Sequence, residues 1–197
     1  MPLKYTESKL YEINEKYGGK RAWLHTYAYR WMGSLSLLPS GPEKSRFEEF
    51  KRLVFVCQGN ICRSPYAEAR ARQLGISSAS FGLGADNGKE ANPSAARIAT
   101  QRGVNLERHR ATHLSKFSFE VGDLLLAFEP QQLAKIVSSK VVPEYIPADL
   151  LGRWCSPAFP YLHDPYGLNE AYFNICFDRI DQALLRLAPL VPSSFTL

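Results

Sequence analysis

Leu53-Val54-Phe55-Val56 is an unbroken apolar run that ends at a cysteine, Cys57. A run of that kind reads as a central strand buried on both faces, which already demands layers of structure above and below it. A glycine-containing loop follows, and then a helix from Pro65 to Leu74 with proline in its first turn and Gly75 at its end. The same alternation continues down the chain. Ser77 to Phe81 reads as a short strand and Pro93 to Arg102 as a helix stopped by Gly103. Leu124 to Phe128 reads as a third buried strand, Pro130 to about Val137 as a helix, and Val141 to Ile146 as a weak fourth strand interrupted by Pro143. Beyond an irregular stretch carrying Pro147, Pro157 and Pro160, with Pro165 just past it, Asn169 caps a last helix. Phe173, Cys176, Phe177, Ile180, Leu184 and Leu187 share its inner face. Strands alternating with helices predict an open parallel α/β sheet, whose ligands bind beyond the carboxyl ends of the strands.

Residues 1–50 differ in character and are expected to form a helical, aromatic-rich extension ahead of a unit spanning residues 51–197. Thr6 is placed to cap a short helix with Leu10, Ile13 and Tyr17 on one face, ended by Gly18-Gly19. A second helix from about Arg21 to Leu38 sets Trp23, Tyr27 and Trp31 at i, i+4 and i+8, and Pro39-Ser40-Gly41-Pro42 breaks it. Glu43 to Phe50 then reads as a short charged helix. Aromatics at that spacing are more often packed than free, so the stripe is expected to lie on the rest of the molecule. Its alternative use is as a homodimer or partner-docking arm. The sequence shows no apolar run long enough to span a membrane, and its polar start points to the cytoplasm. A net charge of +5 favours anionic partners mildly and is too small to argue for nucleic acid. Four cysteines are too few for a disulfide scaffold, though enough for a reactive thiol.

The chemistry concentrates in Cys57-Gln58-Gly59-Asn60-Ile61-Cys62-Arg63-Ser64-Pro65. A thiol stands at the end of a buried strand, and an arginine six residues on opens a helix. Successive N–H groups of a loop curled before a helix N-terminus point inward and form a nest for an anion. The helix dipole and the guanidinium both favour a thiolate, the nucleophilic form of cysteine. Arg63 can grip two oxygens of a phosphoryl group through its planar fork, which a lysine cannot do. Gly59 is expected to allow the tight turn, and Asn60 to tolerate a left-handed conformation. A plain buried thiol beside an exposed arginine is the commoner setting for a cysteine, but it accounts for neither the spacing nor the rest of the run. A metal site would need a second Cys or His pair at ligand spacing. His109 and His113 lie far off and Cys155 and Cys176 are isolated, so no metal and no cofactor is expected.

The segment Cys57 to Glu68 resembles the signature of low-molecular-weight protein tyrosine phosphatases. The resemblance continues through Ser80-Phe81-Gly82 with Gly88, Ala91, Pro93 and Ala95, through His109-Arg110-Ala111 and Asp123 to Ala127, and into His163-Asp164-Pro165-Tyr166-Gly167. It covers about residues 52–188. It implies a four-stranded parallel sheet with helices on both faces, and hydrolysis of phosphotyrosine and small aryl phosphomonoesters through a phosphocysteine intermediate. Cys57 is then the nucleophile, and Gln58, Gly59, Asn60, Ile61, Cys62, Arg63 and Ser64 hold the phosphate. Asp164 is the proton donor and later the base. Asn60, Ser64, Ser80 and His109 resemble the network that supports the loop, and Cys62 resembles a redox-active partner of Cys57. On the substrate rim, where relatives often carry an aromatic, this chain has Asp86-Asn87, and Tyr166 remains as one aromatic wall. A phosphotyrosine-containing protein or a small aryl phosphate is the implied substrate.

Two rivals use the same scaffold. Thiol-dependent arsenate reduction needs a further resolving cysteine pair after the third strand, and Glu129 to Pro143 contains no cysteine. A non-catalytic phosphotyrosine-binding module would be expected to lose Cys57, Arg63 or Asp164, and all three are present.

Overall fold

The computed structural model describes residues 2–193. Strands β1 (Arg52–Cys57), β2 (Ser78–Gly82), β3 (Asp123–Ala127) and β4 (Ala148–Leu150) make one parallel sheet in the order β2-β1-β3-β4. The alternation of side chains along β1 explains its unbroken apolar run. Leu53, Phe55 and Cys57 enter a core covered by helices α3 (Arg63–Gln73), α4 (Pro93–Gln101) and α6 (Glu170–Leu187). Val54 and Val56 enter a second core under α5 (Pro130–Val137), completed by Phe81, Val142 and Ile146. Both faces are covered, as the sequence predicts.

The helix ends obey the local signals. Asn92 Oδ1 accepts the amides of Ser94 and Ala95 at 3.0 and 3.2 Å, and Asn169 Oδ1 accepts that of Tyr172 at 3.0 Å. Gly75 and Gly103 follow α3 and α4 in the left-handed region, at φ 76° and 74°. The fourth strand is a correction. It lies at Ala148–Leu150, not at Val141 to Ile146, and its register with β3 begins at Leu125↔Ala148. Pro143 has no N–H to give a ladder, so Val142 and Ile146 instead turn their side chains into the second core.

The first helix, α1 (Pro2–Tyr17), starts ahead of the expected Thr6 cap, and α2 (Lys20–Ser34) follows across Gly18-Gly19. The helix α2 does pack, but Tyr27 and Trp31 of the expected stripe do not carry the contact. Ala22 and Thr26 are buried, His25 and Tyr29 turn toward Tyr161, and Tyr27 and Trp31 stand 47% and 66% exposed. The small residues permit close approach, and the stripe of Leu24, Tyr27, Trp31 and Leu35 is left facing outward. A 3-10 turn, Lys44–Glu49, buries Phe47 against Trp154, ring centroids 4.7 Å apart, and leads into β1. Among the described residues, no helix is long and apolar enough to cross a membrane.

Candidate active site

The strand β1 delivers Cys57 to the carboxyl edge of the sheet, and α3 begins at Arg63, so residues 58–62 must curl between them. The left-handed turn in this loop is made by Asn60, at φ 52°. Gly59 does not have a positive φ, and a Cβ added there would meet nothing closer than 3.5 Å. The glycine the loop depends on stands behind it. A Cβ on Gly82 would lie 2.8 Å from Gln58 O and 2.9 Å from Asn60 N. The end of β2 therefore abuts the loop, clipped to it by Leu83 N to Cys57 O at 3.0 Å and Gly84 N to Gln58 O at 2.9 Å.

Asn60 is fully buried and organises the sulfur's surroundings. Its backbone amide donates to Cys57 Sγ at 3.2 Å. Its Nδ2 donates to Ser64 Oγ at 2.8 Å and to Ser80 Oγ at 2.7 Å. Ser64 Oγ therefore has its own proton free for Cys57 Sγ, 3.0 Å away. Ser80 passes its proton to Glu68 Oε2 at 2.5 Å. On the other side, Asn60 Oδ1 accepts from Thr112 N at 2.8 Å, and Asn60 O lies 2.7 Å from His109 Nε2. Burial depresses the His109 pKa, so the ring is a neutral donor to that carbonyl. Glu68 closes this chain; it ends the segment that resembles the signature, and sequence reasoning gave it no role.

Arg63 lies beneath the loop with its side chain 1% exposed. Nη1 donates to Glu129 Oε1 at 2.5 Å and to Leu162 O at 2.8 Å. Burial alone would lower its pKa, but the carboxylates of Asp164 and Glu129 outweigh that and hold the guanidinium charged. Nη2 is 2.7 Å from Asp164 Oδ2, an ionic contact without hydrogen-bond alignment. The Nε–H group is thus buried with no acceptor in the protein, and Nη2 has only its ionic contact with Asp164. Such a donor is costly unless a ligand takes it.

The segment after β4 brings in Asp164. It is anchored to the end of β3 by Leu162 N to Phe128 O at 2.8 Å. Asp164 Oδ1 accepts from Tyr166 N at 3.2 Å. Cys57, Gln58, Gly59, Ile61, Cys62, Lys89, Asp164 and Tyr166 enclose a cavity of about 200 Å³. The two rim residues expected from sequence are placed differently. Asp86 pairs with Lys89 at 3.1 Å and Asn87 Oδ1 accepts from His113 N at 2.8 Å, and neither lines the cavity. Lys89 does, and sequence reasoning missed it because a lone lysine in a glycine-rich turn carries no signal. Burial pushes the thiol of Cys62 well above the usual range, and those of Cys155 and Cys176 up to about 12. A wider cleft of about 660 Å³ beside Trp154 holds no cysteine.

The family model described as low molecular weight phosphotyrosine protein phosphatase matches residues 52–194. The chain is 32% identical over 137 residues to the low molecular weight protein-tyrosine-phosphatase Wzb of Salmonella typhi, covering 68% of this chain and 89% of that protein. The crystal structure of the Erwinia amylovora tyrosine phosphatase AmsI superposes with a TM-score of 0.63 at 26% identity, covering 71% of this chain and 92% of that one. The arginine phosphatase YwlE of Geobacillus stearothermophilus gives 0.61 at 26% identity, covering 71% and 91%. With a match over most of its length, a relative at this identity and the same sheet order, the chain belongs to the low molecular weight phosphotyrosine protein phosphatase family.

Proposed function

We propose that the protein hydrolyses aryl phosphomonoesters, phosphotyrosine in a protein above all, through a phosphocysteine at Cys57. The observation that carries this reading is the buried guanidinium of Arg63, whose Nε–H has no acceptor and whose Nη2 has only the ionic contact with Asp164, beneath a loop curled around the Cys57 sulfur. A phosphate dianion in the loop supplies the acceptor that Nε–H lacks, and its oxygens replace Asp164 as the partner of Nη2. Cys57 Sγ attacks phosphorus in line, while Arg63 and the loop amides take up charge on the equatorial oxygens. The released Asp164 carboxylate takes a proton from solvent and delivers it to the departing phenolate. It then takes a proton from the water that cleaves the S–P bond, which restores the thiolate and frees inorganic phosphate. Ser64 and the Asn60 amide stabilise the sulfur as leaving group in that second step.

The walls favour an aryl ester over a phosphorylated guanidinium. Ile61 and Tyr166 line the cavity, and the carboxylates of Asp164 and Glu129 both already face Arg63. Cys62 serves as the redox partner. Peroxide oxidises the Cys57 thiolate to a sulfenic acid and releases hydroxide, and the Cys62 thiol then displaces water to give a disulfide. Its raised pKa keeps Cys62 protonated and out of competition with Cys57 until that oxidation has occurred.

The decisive measurement is hydrolysis of p-nitrophenyl phosphate, phosphotyrosine and phosphoarginine by wild type, Cys57→Ser and Asp164→Asn. Cys57→Ser is expected to be inactive on all of them. Asp164→Asn is expected to lose about 10²-fold or more on phosphotyrosine and much less on the nitrophenyl ester, whose leaving group needs no proton. Full activity in Cys57→Ser, or faster turnover of phosphoarginine than of phosphotyrosine, overturns the reading.

A further inference from the structure

The segment that carries Asp164 has two sides. Leu162 and Asp164 face inward, meeting Arg63 through the Leu162 carbonyl and the Asp164 carboxylate. Phe159, Tyr161 and His163 alternate with them and face α1 and α2, which lie outside the span matched by the family model. The Tyr161 ring stacks on Tyr29 of α2 at 5.6 Å and 23°, and meets His25 edge-on at 5.3 Å and 70°. It also stacks on His163 at 5.7 Å, with its hydroxyl 2.9 Å from His163 Nδ1. Burial pushes the Tyr161 phenol up to about 12 and the His163 pKa down, so the hydrogen bond joins two uncharged groups. Tyr29 OH is itself fixed by Gln131 Nε2 at 2.9 Å, in the first turn of α5.

The turn between α1 and α2 closes on the same segment. Gly18, at φ 78°, is so close that a Cβ would come within 2.7 Å of Leu168 Cδ1 and 2.8 Å of His163 Cδ2. Arg179 of α6 donates to Lys16 O at 2.8 Å, with its guanidinium 4.3 Å from the centre of the Phe159 ring. Arg30 covers the same ring at 5.1 Å. Every outward-facing residue of the segment therefore has a partner on the hairpin.

We propose that the α1–α2 hairpin positions the general acid, with His25 and Tyr29 as positioning residues that hold Tyr161 and His163 and so fix Asp164 against the cavity. This rests on the assignment of Asp164 as proton donor and deepens it. General acid catalysis requires the donor within hydrogen-bond reach of the leaving oxygen, and a misplacement of about 1 Å can cost on the order of 10²-fold in rate. A loosened segment loses protonation of the leaving group first. Attack by Cys57 on an ester that leaves unaided is spared.

The test is the leaving-group dependence of kcat/KM for the full-length chain over a series of aryl phosphates from p-nitrophenyl to phenyl. Wild type should give a shallow dependence and Asp164→Asn a steep one. His25→Ala and Tyr29→Ala should fall between, losing about tenfold on phenyl phosphate and less than about twofold on the nitrophenyl ester. Tyr29→Phe keeps the stacked ring and should restore the wild-type slope, and Trp31→Ser on the outward face of α2 should leave it unchanged. Thermal melts followed by circular dichroism accompany each variant, and if Tyr29→Ala does not fold, His25→Ala decides. A wild-type slope in these variants, or one uniform loss across all esters, overturns the positioning role. If Asp164→Asn itself fails to steepen the slope, the acid assignment falls and takes the proposal with it.

Discussion

Asn60 uses every polar atom it has to hold the loop: amide to Sγ of Cys57, side-chain nitrogen to two serines, side-chain oxygen to Thr112 and carbonyl to His109. It also holds the left-handed φ of 52° that most side chains resist. Asn60→Ala removes the side-chain bonds in a buried site and strains the turn. It is expected to cost about 2–4 kcal/mol in urea melts, with a fall in kcat/KM that outlasts the stability loss at low temperature. Asn60→Asp keeps the shape but sets a carboxylate where Ser64 and Ser80 need a donor, and it should be the less active of the two. Much at this scale was legible in the sequence, because cysteine, arginine and asparagine at these spacings have few physical uses. Sequence misread the glycine. Gly59 sits inside the motif and attracts the explanation, whereas Gly82, twenty-three residues away, is the one whose missing Cβ makes room for the loop. Close approach between distant segments leaves no periodic trace.

Among elements, that contact makes β2 part of the site. Gly82→Ala would press a methyl on Gln58 O and Asn60 N from a backbone that itself tolerates alanine. The expected result is a loss of about 1–3 kcal/mol in thermal or urea unfolding, the usual cost of overpacking. It should also bring weaker inhibition by phosphate, since the loop amides move. Titration of p-nitrophenyl phosphate hydrolysis with phosphate measures the second effect. The longer elements could be read from their caps and buried runs. The three-residue β4 could not, since it is too short to show a pattern and a more apolar stretch stands just before it. The orientation of α2 was misread for a related reason. Its apolar residues surround the helix, so periodicity favours no single face, and the contact is chosen by the small Ala22 and Thr26 together with the ring of Tyr161.

For the whole molecule, two half-buried histidines make stability depend on pH. Burial lowers the pKa of both His109 and His163 below the usual 6.5, so the unfolded chain binds more protons than the folded one between each depressed value and 6.5. Their contribution is complete above that window and is lost as pH falls through it. Asp149, raised by burial, works the opposite way, but in a lower window that starts at its usual 3.8. The melting temperature should therefore drop between about pH 7 and pH 5, and His109→Gln should flatten that drop. Circular dichroism melts across the range measure it. The hairpin of α1 and α2 has a different consequence, felt on warming. It meets the rest of the molecule through the small Ala22 and Thr26, the Gly18 turn, a few rings and the guanidiniums of Arg30 and Arg179, while the sheet is enclosed in two cores. The hairpin is then the first part to open, well before the sheet. Heat should change which esters the enzyme accepts before it destroys the enzyme: turnover of phenyl phosphate fades while the nitrophenyl ester is still cleaved and the fold is still whole.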